Sequence, residues 1–184
     1  MELTGFQQGA QPMNEKSTLE GLELLGDGES FHQQLCSLIE NVPMFGDLCH
    51  ADVETLARYI RAYEARKGTE IFREGARGQF MCIVVSGRVD IFKENREREK
   101  KKVATVRPGK SMGEMSLLDE LPYSATARVS EDSQLLMLTK MNFERFTEEQ
   151  PVLCNMLLRQ IARLMSLRLR QTTGILLDYL SQDD

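Results

Sequence analysis

The chain of 184 residues has no tryptophan, two histidines and four cysteines. His32 and His50 both fall in its first third, and Cys36, Cys49, Cys82 and Cys154 form no Cys-x-x-Cys pair. A zinc site of usual spacing is therefore not expected. With so few histidines, no Ser/His/Asp or Cys/His constellation emerges, so neither a catalytic residue nor a metal ligand is assigned. Apolar runs are short of the ~18 residues that a membrane span needs. The first thirty residues carry Glu2, Glu15, Glu20 and Glu23 and lack the basic start and apolar middle of a secretory signal. Cytoplasmic residence without membrane contact is the expectation. A net charge of −5 excludes a basic surface over the whole chain.

What is present is ordinary for a globular protein, with 41% hydrophobic and 28% charged residues. Residues 1–28 have no firm period and carry scattered glycines, so they are expected to be a flexible leader with a short helix around Leu19 to Leu25. Residues 29–62 are expected to be N-terminal helices. In the first, Phe31, Leu35, Leu38 and Ile39 recur at helical steps. The second runs from about Ala51 to Arg61, with Asp52 as a possible cap. Pro43 separates them.

Residues 63–140 switch to short apolar or alternating runs punctuated by Gly68, Gly75, Gly78, Gly87, Gly109 and Gly113. That spacing predicts a small antiparallel barrel or sandwich. The run from Phe80 to Val85 encloses Cys82, where a thiol serves as a small core residue. Residues 141–184 return to a helical period. Leu153, Leu157, Ile161 and Leu164 form one stripe, and Leu158, Met165 and Leu169 another beside it. Pro151 suits the first turn of this helix, and Gly174 is expected to end or kink it. The first stripe is expected to pair with a second copy in a parallel homodimer.

The most informative segment is Gly113-Glu114-Met115-Ser116-Leu117-Leu118, followed by Pro122-Tyr123-Ser124-Ala125-Thr126. It resembles the phosphate-binding cassette of the cyclic-nucleotide-binding domain family. Upstream, Asn41 to Phe45, Gly68 to Ile71, Glu74-Gly75, Phe80 to Ile83 and Ser86 to Val89 resemble the same family's segments in the same order. The likeness spans about residues 40 to 170. It implies a mainly β fold, an eight-stranded antiparallel, jelly-roll-like β-roll flanked by N-terminal helices and a long C-terminal helix. It also implies cyclic AMP or cyclic GMP as a ligand and no resident cofactor. The implied ligand-binding residues are Gly113, Glu114, Met115, Tyr123, Ser124, Ala125 and Thr126. Glu114 would accept a ribose 2′-hydroxyl, Ser124 and Ala125 would let backbone amides approach the phosphate, and a short helix over Met115 to Asp119 would point N–H groups at the anion. Leu117 and Leu118 are expected in the core.

One position departs from the pattern. Where the family carries an arginine clamp, this chain has Tyr123, whose neutral hydroxyl cannot balance a phosphate. Such a loss costs on the order of 2–5 kcal/mol, roughly 30- to several-thousand-fold in affinity. The ring either packs as a core aromatic or stacks on a ligand. Lys110, Arg88 and Arg128 are the substitute cations that sequence proximity suggests. The stretch Lys93 to Lys102 mixes signs and reads as a solvated hairpin tip. Only eleven residues follow Thr173, so no DNA-binding module is expected within this chain. The functional expectation is a stand-alone regulatory protein that senses a cyclic nucleotide or related messenger and signals through its C-terminal helix. The alternative is a degenerate, ligand-free domain that acts as a dimeric interaction module for an unknown protein partner.

Overall fold

A computed structural model describes residues 21–181 except Asp27 and Arg96, with the side chain of Tyr179 also outside the description. Most of the leader, residues 1–20, therefore lies outside the described residues. The elements run β1 (Leu22–Leu24), α1 (Glu29–Glu40), a 3₁₀ turn (Pro43–Phe45), α2 (His50–Leu56), β2 (Ile60–Ala65), β3 (Glu70–Phe72), β4 (Phe80–Glu94), β5 (Lys100–Val106), β6 (Ser111–Met112), α3 (Glu114–Asp119), β7 (Thr126–Thr139), α4 (Lys140–Glu149) and α5 (Pro151–Leu180). All strand pairings are antiparallel, in the order β1-β2-β7-β4-β5, with β3 also on β7 and β6 also on β4.

The antiparallel roll with helices before and after it is the fold that the sequence predicts. Seven strands stand among the described residues, against the eight that the resemblance implies, and two pairs of the expected runs are each continuous. Phe80 to Val85 and Val89 to Phe92 join as β4, with register shifts around Ser86 and Arg88. Gly87 makes that passage possible. Its φ is +81°, and a Cβ there would lie 2.2 Å from the Asp132 carbonyl oxygen. Ala125 to Val129 and Leu135 to Leu138 likewise merge within β7.

The apolar runs of β4 and β7 are continuous because both faces of the sheet are covered. Met81, Ile83, Leu136 and Leu138 pack toward the helices, with Ile39, Phe45, Leu56, Phe146, Leu157 and Ile161. Phe80, Cys82, Val84, Leu135 and Met137 pack into the roll, with Ile71, Phe72, Met112 and Tyr123. Burial raises the Cys82 thiol far above the usual thiol range, so it is an uncharged core residue.

Several expectations are corrected. Leu22–Leu24 is a strand paired with Tyr63–Ala65, not part of a helix. The second helix ends at Leu56, and Ile60, Ala62 and Ala65 are instead the buried positions of β2. Those apolar residues fit either period, and pairing with β7 decides between them. Asp52 is not the cap itself. It sits at the third position of α2 and accepts the Cys49 N–H at 3.3 Å. Gly174 does not end α5, which runs on to Leu180 and is 30 residues long in all, about 45 Å at 1.5 Å per residue. Leu153, Leu157 and Ile161 of the first stripe are buried in the chain's own helical core, so they are not open to a second copy, and Leu164 is half-buried against the same core. Leu118 is 38% exposed rather than core, while Leu117 is buried.

Candidate functional site

Gly113 ends β6 and opens α3 with a φ of +79°, a left-handed turn that lets the chain pass Phe80 and Tyr123 closely. A Cβ at Gly113 would meet the Phe80 carbonyl oxygen at 3.0 Å and a Tyr123 ring carbon at 3.2 Å. The turn delivers Glu114 to a buried place, 2% exposed, at the start of α3. Beside it lies a cavity of about 470 Å³, within the range of small-molecule sites. Its floor is the cassette, from Ser111 to Ser116 and from Tyr123 to Ala125. Phe72, Ile91 and Val106 give it apolar walls, and Arg168, Gln171, Thr172 and Ile175 of α5 form a further wall.

Six of the seven implied ligand-binding residues line this cavity: Gly113, Glu114, Met115, Tyr123, Ser124 and Ala125. Thr126 does not. It is buried, and its hydroxyl accepts the Glu74 N–H at 3.0 Å. The helix of the cassette is six residues long and starts at Glu114, one residue earlier than expected. Ser124 is tied from behind, because Lys93 Nζ donates to its carbonyl at 2.7 Å and pairs with Glu74 at 2.8 Å. That pairing holds the Glu74 carboxyl below its ordinary value.

Tyr123 is a packed residue of the roll. It is 3% exposed and stacks on Phe72, with ring centroids 4.1 Å apart and planes at 12°. Its hydroxyl donates to the Phe80 carbonyl at 2.8 Å and accepts the N–H groups of Phe80 and Gln79 at 3.1 and 3.2 Å. Burial pushes its pKa up to about 12, so the hydroxyl stays neutral at any ordinary pH. Of the two roles open to the ring, the structure has the core role.

The cation that enters the cradle is none of the three that sequence proximity suggests. Arg168 reaches in from α5, donating from Nη1 to Glu114 Oε1 and from Nη2 to the Ser111 carbonyl. It was missed because it lies 54 residues beyond Glu114. A signal existed: Arg168 follows Leu153, Leu157, Ile161 and Leu164 at helical steps, so a charge continues an inward stripe. The substitutes suggested by proximity fare differently. Arg128 lies 3.7 Å from Glu70 and Arg88 3.0 Å from Glu131, both at exposed positions. Lys110 lines the cavity but is exposed.

Two buried oxygens of the cavity lining have no hydrogen-bond partner among the described residues, Ser111 Oγ and Glu114 Oε2. Buried polar atoms are nearly always paired, and exceptions point to a missing partner.

Comparison with known proteins follows the same region. Residues 63–150 match the family described as cyclic nucleotide-binding domain. The Cyclic AMP receptor protein of Thermus thermophilus is 32% identical over 142 residues, 77% of this chain and 63% of that protein. A cAMP-dependent protein kinase regulatory subunit of Yarrowia lipolytica is 30% identical over 107 residues, 58% of this chain and 28% of that protein. The chain thus spans less than two thirds of the length of these relatives. Among solved structures, a cyclic nucleotide-binding domain from Methylobacillus flagellatus KT superposes with a TM-score of 0.75 at 24% identity, covering 86% of this chain and 89% of that one. The Thermus thermophilus catabolite activator protein gives 0.65 at 32% identity, over 76% of this chain and 63% of that one.

Proposed function

The chain carries a domain that belongs to the cyclic nucleotide-binding family, and we propose that it is a regulatory domain that senses a ribose-bearing messenger and signals through α5. One observation carries this reading. Glu114 gives one carboxylate oxygen to Arg168 of α5 and leaves the other without a partner beside the cavity. A ribose hydroxyl donating to Oε2 completes the carboxylate while Arg168 keeps Oε1. Ligand and helix then hold the same side chain, and each favours the other's docking. Gln171, Thr172 and Ile175 on the same wall add direct contact between a bound molecule and the helix.

Hydrogen exchange across α5 tests the reading, with adenosine, guanosine, cyclic AMP and cyclic GMP each at millimolar concentration. At least one is expected to slow exchange over residues 165–180 and to raise the melting temperature. Ligand at a hundred times its dissociation constant stabilises by about 2.7 kcal/mol. No response to any of the four removes the reading.

A second reading, an interaction module that works as a homodimer, has its own observation. Beyond the roll, α5 exposes Leu169 to 69%, Leu176 to 55% and Leu180 to 57%. They continue the steps of seven and four begun by Leu158 and Met165, which are half-buried against the chain's own core, and that is the spacing of a two-helix seam. We infer that the exposed part of this second stripe, Leu169, Leu176 and Leu180, pairs with another copy of the chain. Sedimentation at tens of micromolar is expected to give a dimer, and Leu169→Glu with Leu176→Glu a monomer. A wild-type monomer rules the pairing out.

A further inference from the structure

We infer that the cavity is built for an uncharged ribonucleoside, a base on a ribose with free hydroxyls, and discriminates against the cyclic phosphate. This rests on the reading of the cavity as a ribose-bearing ligand's site and names the ligand class. The residues present do not fit a bound phosphate. At the position of the family's clamp, Tyr123 is neutral, and its hydroxyl is already engaged by the backbone of Phe80 and Gln79. Its ring is fixed against Phe72, so it does not turn toward an anion at little cost.

The cavity's guanidinium does not supply the missing charge. Arg168 is bound to Glu114, and the two charges cancel. Drawing Arg168 away to a phosphate would leave the Glu114 carboxylate unpaired at 2% exposure, the arrangement that costs most in a protein interior. Lys110 lies at an exposed position on the turn before β6, where water screens its charge. A six-residue helix adds little dipole.

What the cavity does offer suits hydroxyl groups. Glu114 Oε2 is an acceptor without a partner, and Ser111 Oγ is a hydroxyl that can donate or accept, also without a partner among the described residues. Ser111 is fully buried and belongs to the same lining. A vicinal diol presents two O–H donors that are also acceptors, and it brings no net charge. In a 3′,5′-cyclic phosphate the 3′-oxygen is esterified, so one donor is lost and a negative charge is added. The base of either ligand finds the same walls, Phe72, Ile91 and Val106, so the walls do not decide between them.

The test is calorimetric titration of the full chain with adenosine, guanosine, cyclic AMP and cyclic GMP, and with 2′-deoxyadenosine and 2′-deoxyguanosine. The better nucleoside is expected to bind at least ~30-fold more tightly than its cyclic phosphate, the low end of the loss for an unpaired phosphate contact. The matching 2′-deoxynucleoside, and the nucleoside on Ser111→Ala, are each expected to lose about 10-fold. A cyclic nucleotide that binds as tightly as its nucleoside, or more tightly, overturns the inference and leaves the messenger-sensing reading standing. No binding by any of the six overturns both. Equal binding of the deoxy and ribo forms overturns the diol as the recognised group.

Discussion

Replacing Tyr123 with arginine is expected to raise affinity for cyclic AMP and cyclic GMP by about 30-fold or more, while lowering the stability of the protein. The gain follows from placing a charged, planar donor where the cassette resembles a phosphate site. Tyr123 lines the cavity, so a longer side chain at that position has the cavity to enter. The loss follows from what the tyrosine holds together. Its ring stacks on Phe72 and its hydroxyl closes three hydrogen bonds with the backbone at Gln79 and Phe80. Removing a buried aromatic of this size costs about 3–5 kcal/mol, less whatever a bound anion returns. Tyr123→Phe separates the two effects. It keeps the stacked ring, forfeits about 1–2 kcal/mol of hydrogen bonding, and is expected to leave cyclic-nucleotide affinity unchanged. Calorimetry with both ligands and urea unfolding of the three proteins check these outcomes. A folded Tyr123→Arg protein with no gain would mean that the position does not face the ligand.

Much of this site was legible in the sequence, because the cassette is contiguous. Gly113, Glu114, Ser124 and Ala125 stand within thirteen residues, and local chemistry dictates their roles: a left-handed turn, a carboxylate beside it, and two small side chains. The roll itself was legible for the same reason, since glycine-punctuated apolar runs are short-range patterns. Three features were not, and each depends on contacts distant in sequence. The extent of β4 depends on Gly87 fitting under the Asp132 carbonyl, a contact made across β7. The change from helix to strand before Ile60 depends on pairing with Leu138. The fate of Tyr123 depends on Phe72, from a strand 51 positions earlier in the chain. Arg168 differs from these. It stood on a stripe already identified, but a charge on a helix is most often a solvated one, and only the cavity beneath α5 turns it inward.

Arg168 and Glu114 are also expected to respond unequally to mutation, and the inequality tests whether they act as one unit. Arg168 is 43% exposed at its side chain and Glu114 2%. Glu114→Gln leaves a guanidinium that water can reach, a change expected to cost under ~1 kcal/mol of stability. Arg168→Ala leaves a buried carboxylate with neither oxygen paired, expected to cost about 2 kcal/mol. In the double variant the arginine has no buried charge to satisfy, so the cost of Arg168→Ala is expected to fall below ~1 kcal/mol in the Glu114→Gln background. Urea unfolding of the four proteins measures the cycle. Hydrogen exchange adds the location: Arg168→Ala is expected to speed exchange in α5 beyond residue 165 and to leave Pro151 to Ile161 protected, because Leu153, Leu157 and Ile161 are held by the helical core. An equal cost for Arg168→Ala in both backgrounds would show that the helix is held by its apolar contacts alone. The route from cavity to α5 through Glu114 would then be lost.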